Sequence, residues 1–218
     1  LKAPNGENTN LTPKQWAQVR TESFKQWFGD WENNPESASK IIDENGEPKV
    51  MYHGTSHAFD VFEKSKGIRY DMGLAREVTS EGFFFTASRD EAYRYASNAA
   101  DARGGRQNVI ECFLNVRNPL DMATSVDYPD KWEKFTGEDF NIYMDGRDTM
   151  WQMMDMEGMS TKLKEAGYDG VILAEEINDE REATKISFCT LDPTQIKSAN
   201  QNIGLYSSTN PNIRFQKV

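Results

Sequence analysis

The sequence is poor in the side chains that most often bind metal ions or act as nucleophiles. It has two cysteines, Cys112 and Cys189, and two histidines, His53 and His57, among 218 residues. A zinc site needs about four nitrogen, sulfur or oxygen ligands at suitable spacing, and these residues form a weak set. We therefore expect no bound metal. No local feature marks either cysteine as an activated nucleophile paired with a histidine.

Other absences narrow the class of protein further. No apolar run approaches the roughly 18 to 20 residues of a membrane span, and no signal-peptide pattern opens the chain. The acidic residues outnumber the basic ones by 35 to 25, and the formal net charge of −10 disfavours nucleic acid and anionic membranes as partners. We expect a cytoplasmic protein. Because the chain begins at Leu1 rather than at methionine, we also expect a domain of a longer polypeptide.

The chain nevertheless has enough apolar residues, 37% hydrophobic and 11% aromatic, to bury a core. Residues 1–44 are predicted to be an N-terminal helical segment packed on a main domain of residues 45–218, with residues 1–10 frayed. Thr12 followed by Pro13 is typical of a helix start. The aromatic and apolar residues that follow predict one helix or two short ones with an aromatic face. That face packs on the main domain or, alternatively, docks a partner.

The main domain reads as a mixture of short strands and helices. Its predicted strands are 49–53, 82–86, 108–116, 170–174 and 185–191. The predicted helices are 88–100, where Ser88 and Glu91 form a capping box, and 149–166. Irregular interleaving of this kind favours an α+β domain over a regularly alternating doubly wound sheet. No Gly-x-Gly-x-x-Gly or Walker-type loop supports one of the common nucleotide-binding folds.

Both histidines lie in the stretch MYHGTSHAF, residues 51–59, at the end of the first predicted strand of the main domain. A histidine in this position is open to three interpretations: a structural residue, a metal ligand or the edge of a binding site. The residues of this stretch do not separate the three alternatives by themselves.

Three separated segments together resemble one family. They are YHGT at 52–55, GFFFT at 82–86 followed by AYRYA at 92–96, and ISFCTLDPTQIKSA at 186–199. In this order they resemble the His-Tyr-Glu class of ADP-ribosyltransferases, the diphtheria-toxin-like and poly(ADP-ribose)-polymerase-like group. The similarity is greatest to the ADP-ribosyltransferase domains of phage and mobile-element polyvalent proteins.

Further segments extend this resemblance over nearly the whole chain. They are TPKQWAQVRTESFKQWFGDW at 12–31, NGEP at 45–48, YDGVI at 168–172 and NPNIRF at 210–215. The resemblance implies an ADP-ribosyltransferase fold, in which two small antiparallel sheets form a cleft for NAD+, with an N-terminal helical appendage. NAD+ would be bound as a substrate, without a metal.

The resemblance also implies roles for individual residues. His53 would hydrogen-bond the ribose of the adenosine half, and the backbone of Gly54 would hold the nicotinamide carboxamide, with Thr55 adding a hydroxyl contact. Tyr95 would stack on the nicotinamide ring, with Tyr93 as the second choice. Phe84 is a further candidate: either it faces the site while Phe83 and Phe85 lie in the core, or the reverse holds. Arg69 either contacts the pyrophosphate or lies solvated on the surface.

The third segment departs from the family pattern at the catalytic glutamate. The family places glutamate eight positions before the glutamine of QIKSA, and this chain has Ser187 there. A serine can hydrogen-bond the ribose but carries no charge to stabilise an oxocarbenium-like transition state. Three explanations stay open: a nearby carboxylate takes the role, the serine is a natural or engineered substitution that lowers turnover, or the enzyme works without the glutamate. The available carboxylates are Glu175, Glu176, Glu180 and Glu182, with Glu182 taken as the candidate.

The resemblance therefore implies a mono-ADP-ribosyltransferase that moves ADP-ribose from NAD+ to a protein acceptor and releases nicotinamide. It also implies a toxin or effector in a bacterial, phage-delivered or host-cytosol setting. Two alternatives stay open: a catalytically silent module that binds NAD+ or another protein, and an NAD glycohydrolase that transfers to water.

Overall fold

The computed structural model describes residues 1–71, 76–143, 150–178 and 182–214, without the side chains of 68–71, 76 and 143. Glu180 and Phe215 lie outside these ranges. The helices are α1 (Pro13–Val19), α2 (Glu22–Phe28), α3 (Arg89–Arg103), α4 (Tyr128–Thr136), α5 (Phe140–Tyr143) and α6 (Met159–Glu165). The strands are β1 (Met51–Thr55), β2 (Ile68–Asp71), β3 (Arg76–Thr79), β4 (Phe83–Thr86), β5 (Asn108–Leu114), β6 (Pro119–Met122), β7 (Gly170–Ile177), β8 (Ala183–Thr190) and β9 (Ile196–Ser198).

The strands form one seven-stranded sheet in the order β6-β7-β8-β4-β1-β5-β9, together with a separate ribbon of β2 and β3. The α+β class is confirmed, but the predicted pair of small antiparallel sheets is wrong. β4 has β8 as one neighbour and β1 as the other, which joins the strands in a single sheet. The sheet is mixed because β6 and β7 are parallel. The sequence indicates where strands lie but not which edges pair.

The chain divides into two compact units. The first unit comprises Leu1–Phe62, Phe85–Arg117 and the described chain from Asp192 onward; the second comprises the described parts of Glu63–Phe84 and Asn118–Leu191. The first unit contains β1, β5 and β9 with α1, α2 and α3. The second contains β6, β7 and β8 with α4, α5 and α6.

The core of the first unit is built on the aromatic face of the N-terminal helices. Thr12 caps α1 by accepting from the Gln15 amide, and the Gln15 side chain accepts from the Thr12 amide in return. The segment forms two short helices, and most of its aromatic side chains are buried rather than left for a partner. The buried cluster consists of Leu11, Val19, Phe24, Trp27, Phe28, Trp31, Ala38, Phe113, Ala199 and Tyr206. An appendage ending at residue 44 stays a prediction.

The first ten residues are ordered, contrary to expectation. The Ala3 amide donates to the Glu7 carbonyl over 3.0 Å, and Asn5 Nδ2 donates to Asn45 Oδ1 over 2.9 Å. The second contact links this turn to the Asn-Gly turn at residues 45–46. Glu47 is fully buried beside that turn, where Arg20 Nη2 lies 2.7 Å from Glu47 Oε1. Two paired turns and a buried ion pair therefore hold the start of the chain.

The second unit buries a core rich in methionine. It includes Met122, Trp132, Met153, Met154 and Leu173. The single helix predicted over 149–166 is interrupted: a short 3-10 helix spans Trp151–Asp155, and α6 begins only after Gly158, whose φ is 75°. That left-handed backbone conformation cannot continue a helix. No helix in the described part of the chain is both long and apolar enough to cross a bilayer.

Candidate active site

In the first unit, Gly54 of β1 and Tyr95 of α3 lie directly against each other. A Cβ atom built on Gly54 would lie 2.0 Å from the Ala92 carbonyl oxygen, 2.7 Å from the Ala96 amide nitrogen and 2.9 Å from Tyr95 Cβ. Only a glycine permits this approach of strand and helix. The space that a side chain at position 54 would need is therefore occupied by α3. Contact between the Gly54 backbone and a ligand stays a prediction.

The two candidate tyrosines of α3 occupy different environments. Ser88 caps the helix by accepting from the Glu91 amide over 3.2 Å, and the buried residues Ala92 and Ala96 mark the face that packs on β1. Tyr95 is half-buried on the edge of that face, next to Gly54. Tyr93 is 56% exposed. The geometry therefore favours Tyr95, the first choice of the sequence interpretation, as the tyrosine beside the end of β1.

His53 is half-buried and lies among three phenylalanines of the first unit. Its ring centroid is 4.9 Å from that of Phe62, 5.5 Å from Phe85 and 6.1 Å from Phe59. Because successive strand residues point to opposite faces, His53 lies on the face of β1 away from α3. A ring held on several sides has few rotamers left. This packing is compatible with two roles for His53, a structural residue and a preorganised hydrogen-bonding group.

The remaining residues of the MYHGTSHAF stretch contact one another. The Thr55 hydroxyl oxygen accepts from the His57 amide over 3.4 Å, and Ser56 Oγ lies 2.9 Å from His57 Nδ1. His57 is exposed, and no group of three or more histidine, cysteine, aspartate or glutamate residues suited to a metal ion occurs within the described ranges. The described bonds of Thr55 and His57 therefore support a turn after β1.

Alternation along β4 separates the phenylalanines. Phe83 and Phe85 are buried and Phe84 is half-buried. Phe85 is the residue that contacts His53, whereas Phe84 packs against the core of the second unit. Of the two arrangements left open by the sequence, the structure has the one in which Phe85 accompanies His53. Binding of NAD+ by Phe84 stays a prediction.

In the second unit, Ser187 forms a hydrogen bond with a glutamate on the neighbouring strand. Ser187 is 2% exposed on β8, opposite Leu173 of β7. Its Oγ donates to Glu175 Oε1. The pairing shifts at this point, because Ala174 faces Ile186 and Glu176 faces Lys185. Glu175 is thus the extra residue of a β-bulge, and its half-buried side chain is directed to the serine.

The other carboxylates of this hairpin have different surroundings. Glu182 is exposed, and its described contacts are with Asn178, whose Nδ2 lies 3.4 Å from Glu182 Oε2. Glu176 is also exposed and lies 3.8 Å from the Lys185 ammonium group. The candidate named from the sequence, Glu182, contacts Asn178, the residue that follows β7. Its catalytic role stays a prediction.

Two further candidates from the sequence are separate from these clusters. Arg69 lies on β2, paired with Val78 of β3, but its side chain is outside the described part of the structure. The predicted pyrophosphate contact is therefore untested. Cys112 and Cys189 are buried, and this burial raises the pKa of both thiols. Since the thiolate is the nucleophile, these surroundings disfavour the Cys-His alternative.

Most of the chain, including the candidate site residues, matches the model of a known protein family. Residues 43–206 match the model of the family described as ADP-ribosyltransferase in polyvalent proteins. The chain belongs to this family. The matched range contains every site residue named above, and the family resemblance inferred from the sequence is confirmed. Searches of curated proteins and of solved structures found no match.

For this ADP-ribosyltransferase domain, sequence reasoning found some of the relevant residues and missed others. It named Gly54 and Tyr95, which the structure brings together where β1 meets α3. It did not anticipate Phe59 and Phe62 beside His53, although the FxxF spacing after the histidine was a visible signal. It counted Glu175 only as one of four carboxylates. The Ser187–Glu175 bond depends on how β7 pairs with β8, for which the sequence has no marker.

Proposed function

We propose that the chain is a mono-ADP-ribosyltransferase that uses NAD+, releases nicotinamide and attaches ADP-ribose to a protein. Membership of the family supports transfer of ADP-ribose as the class of reaction. The contact between Gly54 and Tyr95 is the observation that carries the proposal for this chain. It puts a half-buried tyrosine beside the strand end whose backbone is expected to hold the carboxamide.

The roles of the first-unit residues follow from their chemistry. Tyr95 presents a ring to the flat, cationic nicotinamide, and such stacking contributes about 0.5–1.5 kcal/mol beyond burial. His53, held by the surrounding phenylalanines, hydrogen-bonds ribose hydroxyls. Cleavage breaks the bond between C1′ of the ribose and the nicotinamide nitrogen, which takes the electron pair. The acceptor atom then bonds to C1′ and loses its proton to solvent.

A protein acceptor fits the charge of the chain. The formal net charge of −10 repels the phosphates of a nucleic acid, so a polynucleotide acceptor would have to overcome that field. Single transfer rather than chain elongation is proposed because Ser187, not glutamate, stands at the position that elongation favours in the family.

Two labels on NAD+ test this function in one experiment. The purified chain is incubated with a bacterial lysate and NAD+ labelled either in the nicotinamide or in the adenylate phosphate. We expect nicotinamide release together with adenylate label on discrete protein bands. Heat-denatured chain and Tyr95→Ala serve as controls. Release without any attached label, accompanied by free ADP-ribose, would instead indicate a glycohydrolase.

The silent-module alternative draws on one observation, the uncharged Ser187 at the glutamate position. In that case NAD+ would bind, as measured by calorimetry, without nicotinamide release at high protein concentration. This result would contradict the proposed transferase.

A further inference from the structure

The buried Ser187–Glu175 pair raises the question of which group provides negative charge in the second unit. Ser187 has one hydroxyl proton, and it is donated to Glu175 Oε1. The serine is 2% exposed, whereas the glutamate side chain is half-buried. Glu175 is therefore the member of the pair that retains accessible surface and carries a charge.

The backbone around Glu175 is built to direct this side chain. On β7, Leu173 and Glu175 are two residues apart and would share a face with Ser187 in a regular ladder. The register shifts at this residue, because Ala174 pairs with Ile186 and Glu176 pairs with Lys185. Bulges of this kind change the direction of a side chain and are frequent near active sites.

We infer that Glu175 is the catalytic carboxylate of this domain and that Ser187 is its positioning residue. This inference rests on the proposed function. The carboxylate comes from the strand next to the one that carries it in the family, and it reaches the same neighbourhood because it bonds to the residue at the family position. Of the described carboxylates on this hairpin, Glu176 and Glu182 are exposed, and neither has a described bond to Ser187.

The chemistry assigned to Glu175 is electrostatic. As the bond from C1′ to nicotinamide breaks, positive charge develops on the ribose ring. A carboxylate that accepts a hydrogen bond from a ribose hydroxyl stabilises this charge. The Ser187 hydroxyl holds the carboxylate in one orientation, so no reorganisation is needed during the reaction.

Isosteric removal of the charge tests the assignment. Glu175→Gln retains an oxygen that accepts from Ser187, and we expect its kcat for nicotinamide release to fall about 100-fold or more. The Kd for NAD+ should stay within about threefold, because the interaction is made in the transition state. Glu176→Gln, the same substitution on the same hairpin, should stay within about twofold of the unaltered chain. Circular dichroism and thermal melting establish that each variant is folded.

The outcomes separate this inference from the function on which it rests. If the unaltered chain releases no nicotinamide, the proposed function fails and the assignment fails with it. If the unaltered chain is active and Glu175→Gln is equally active, only the assignment is overturned. If Glu175→Gln does not fold, Glu175→Asp replaces it in the test. This variant retains the carboxylate but shortens the side chain by one methylene group. A fall of about tenfold or more would then support the assignment, and a smaller change would overturn it.

Ser187→Glu tests the assignment by adding a carboxylate instead of removing one. If Glu175 is the carboxylate, a second one beside it adds like-charge repulsion, and turnover should fall. A rise in turnover would show that the family position itself can use a carboxylate and would overturn the assignment to Glu175. Ser187→Ala should lower kcat about tenfold with NAD+ affinity unchanged, because only the orientation of Glu175 is lost. Unchanged kcat would overturn the positioning role.

Discussion

The end of β1 in the first unit and the β7–β8 hairpin in the second position their polar residues by different means. Around β1, a short strand and a capped helix meet at a glycine, and Tyr95 follows from the helix register. In the hairpin, Glu175 reaches Ser187 across the pairing of β7 with β8, beside a register shift between Ala174 and Glu176. A short strand and a capped helix each have a signal within a few residues of the sequence, whereas the pairing of two strands has none.

The largest effect should come from removing the hydrogen-bonding capacity of His53 without disturbing its packing. His53→Phe keeps an aromatic ring among Phe59, Phe62 and Phe85, so the fold should persist. We expect kcat/KM for NAD+ to fall about 100-fold or more, as for loss of a preorganised donor. Steady-state kinetics and a thermal melt measure the two quantities. Unchanged kinetics would make His53 a purely structural residue.

Gly54→Ala tests the close packing of β1 against α3 in the first unit. The new methyl group would lie 2.0 Å from the Ala92 carbonyl oxygen, so α3 must move away from β1. We expect the free energy of unfolding to fall by about 3 kcal/mol or more, measured by urea denaturation. Gly67→Ala is the matched control, because its methyl group would lie 3.4 Å from the Lys64 carbonyl oxygen and its φ is −83°. Equal stability of the two variants would contradict the close approach.

The free energy of unfolding should depend on pH through one buried lysine of the first unit. In the first unit, Lys197 is buried with its ammonium group 2.6 Å from the Asn210 carbonyl oxygen, and burial lowers its pKa from 10.5 to about 8. Below pH 8 the lysine is protonated in both the folded and unfolded states. As pH rises through 8 to 10.5, the unfolded chain holds the extra proton, so the free energy of unfolding should rise by about 3 kcal/mol. Lys197→Met should lack this rise, and an identical pH profile would refute the explanation.

Tyr95→Ala should weaken NAD+ binding by about tenfold, the equivalent of one aromatic stacking contact. Tyr93→Ala is the control on the same helix, and its affinity should stay within about twofold, since an exposed side chain is expected to contribute little. Calorimetric titration of both variants with NAD+ makes the comparison. The reverse order would show that the wrong face of α3 had been assigned to the ligand.

The smallest effect concerns Glu81 in the second unit. Burial would raise the pKa of this carboxyl, but hydrogen bonds from the Ser160 hydroxyl and the Gly158 amide outweigh it, and the pKa is lowered. The stabilisation from Glu81 is present above the unfolded pKa and is lost as the pH falls through the lower folded pKa. Glu81→Gln should therefore be less stable than the unaltered chain at neutral pH and approach it in acid. A constant difference would contradict this linkage.

Several elements could be predicted because their signals are local. Thr12 and Pro13 predicted the start of α1, and Ser88 predicted the start of α3. The helix predicted over 149–166 failed because the left-handed conformation at Gly158 interrupts it. The strand β6 was missed because four residues are too short for a clear alternation, and each of its partners on β7 lies 51 residues further along the chain.

The sequence alone determined the family, the α+β class and the starts of α1 and α3, because these depend on residue order and on capping and strand signals within short segments. The tertiary structure decided that the strands join in one mixed sheet, that Phe85 rather than Phe84 accompanies His53, and that Ser187 bonds to Glu175. Each of these depends on which strands pair and in which register. Pairing depends on the packing of distant segments, and a shift of one residue moves a side chain to the other face of the sheet.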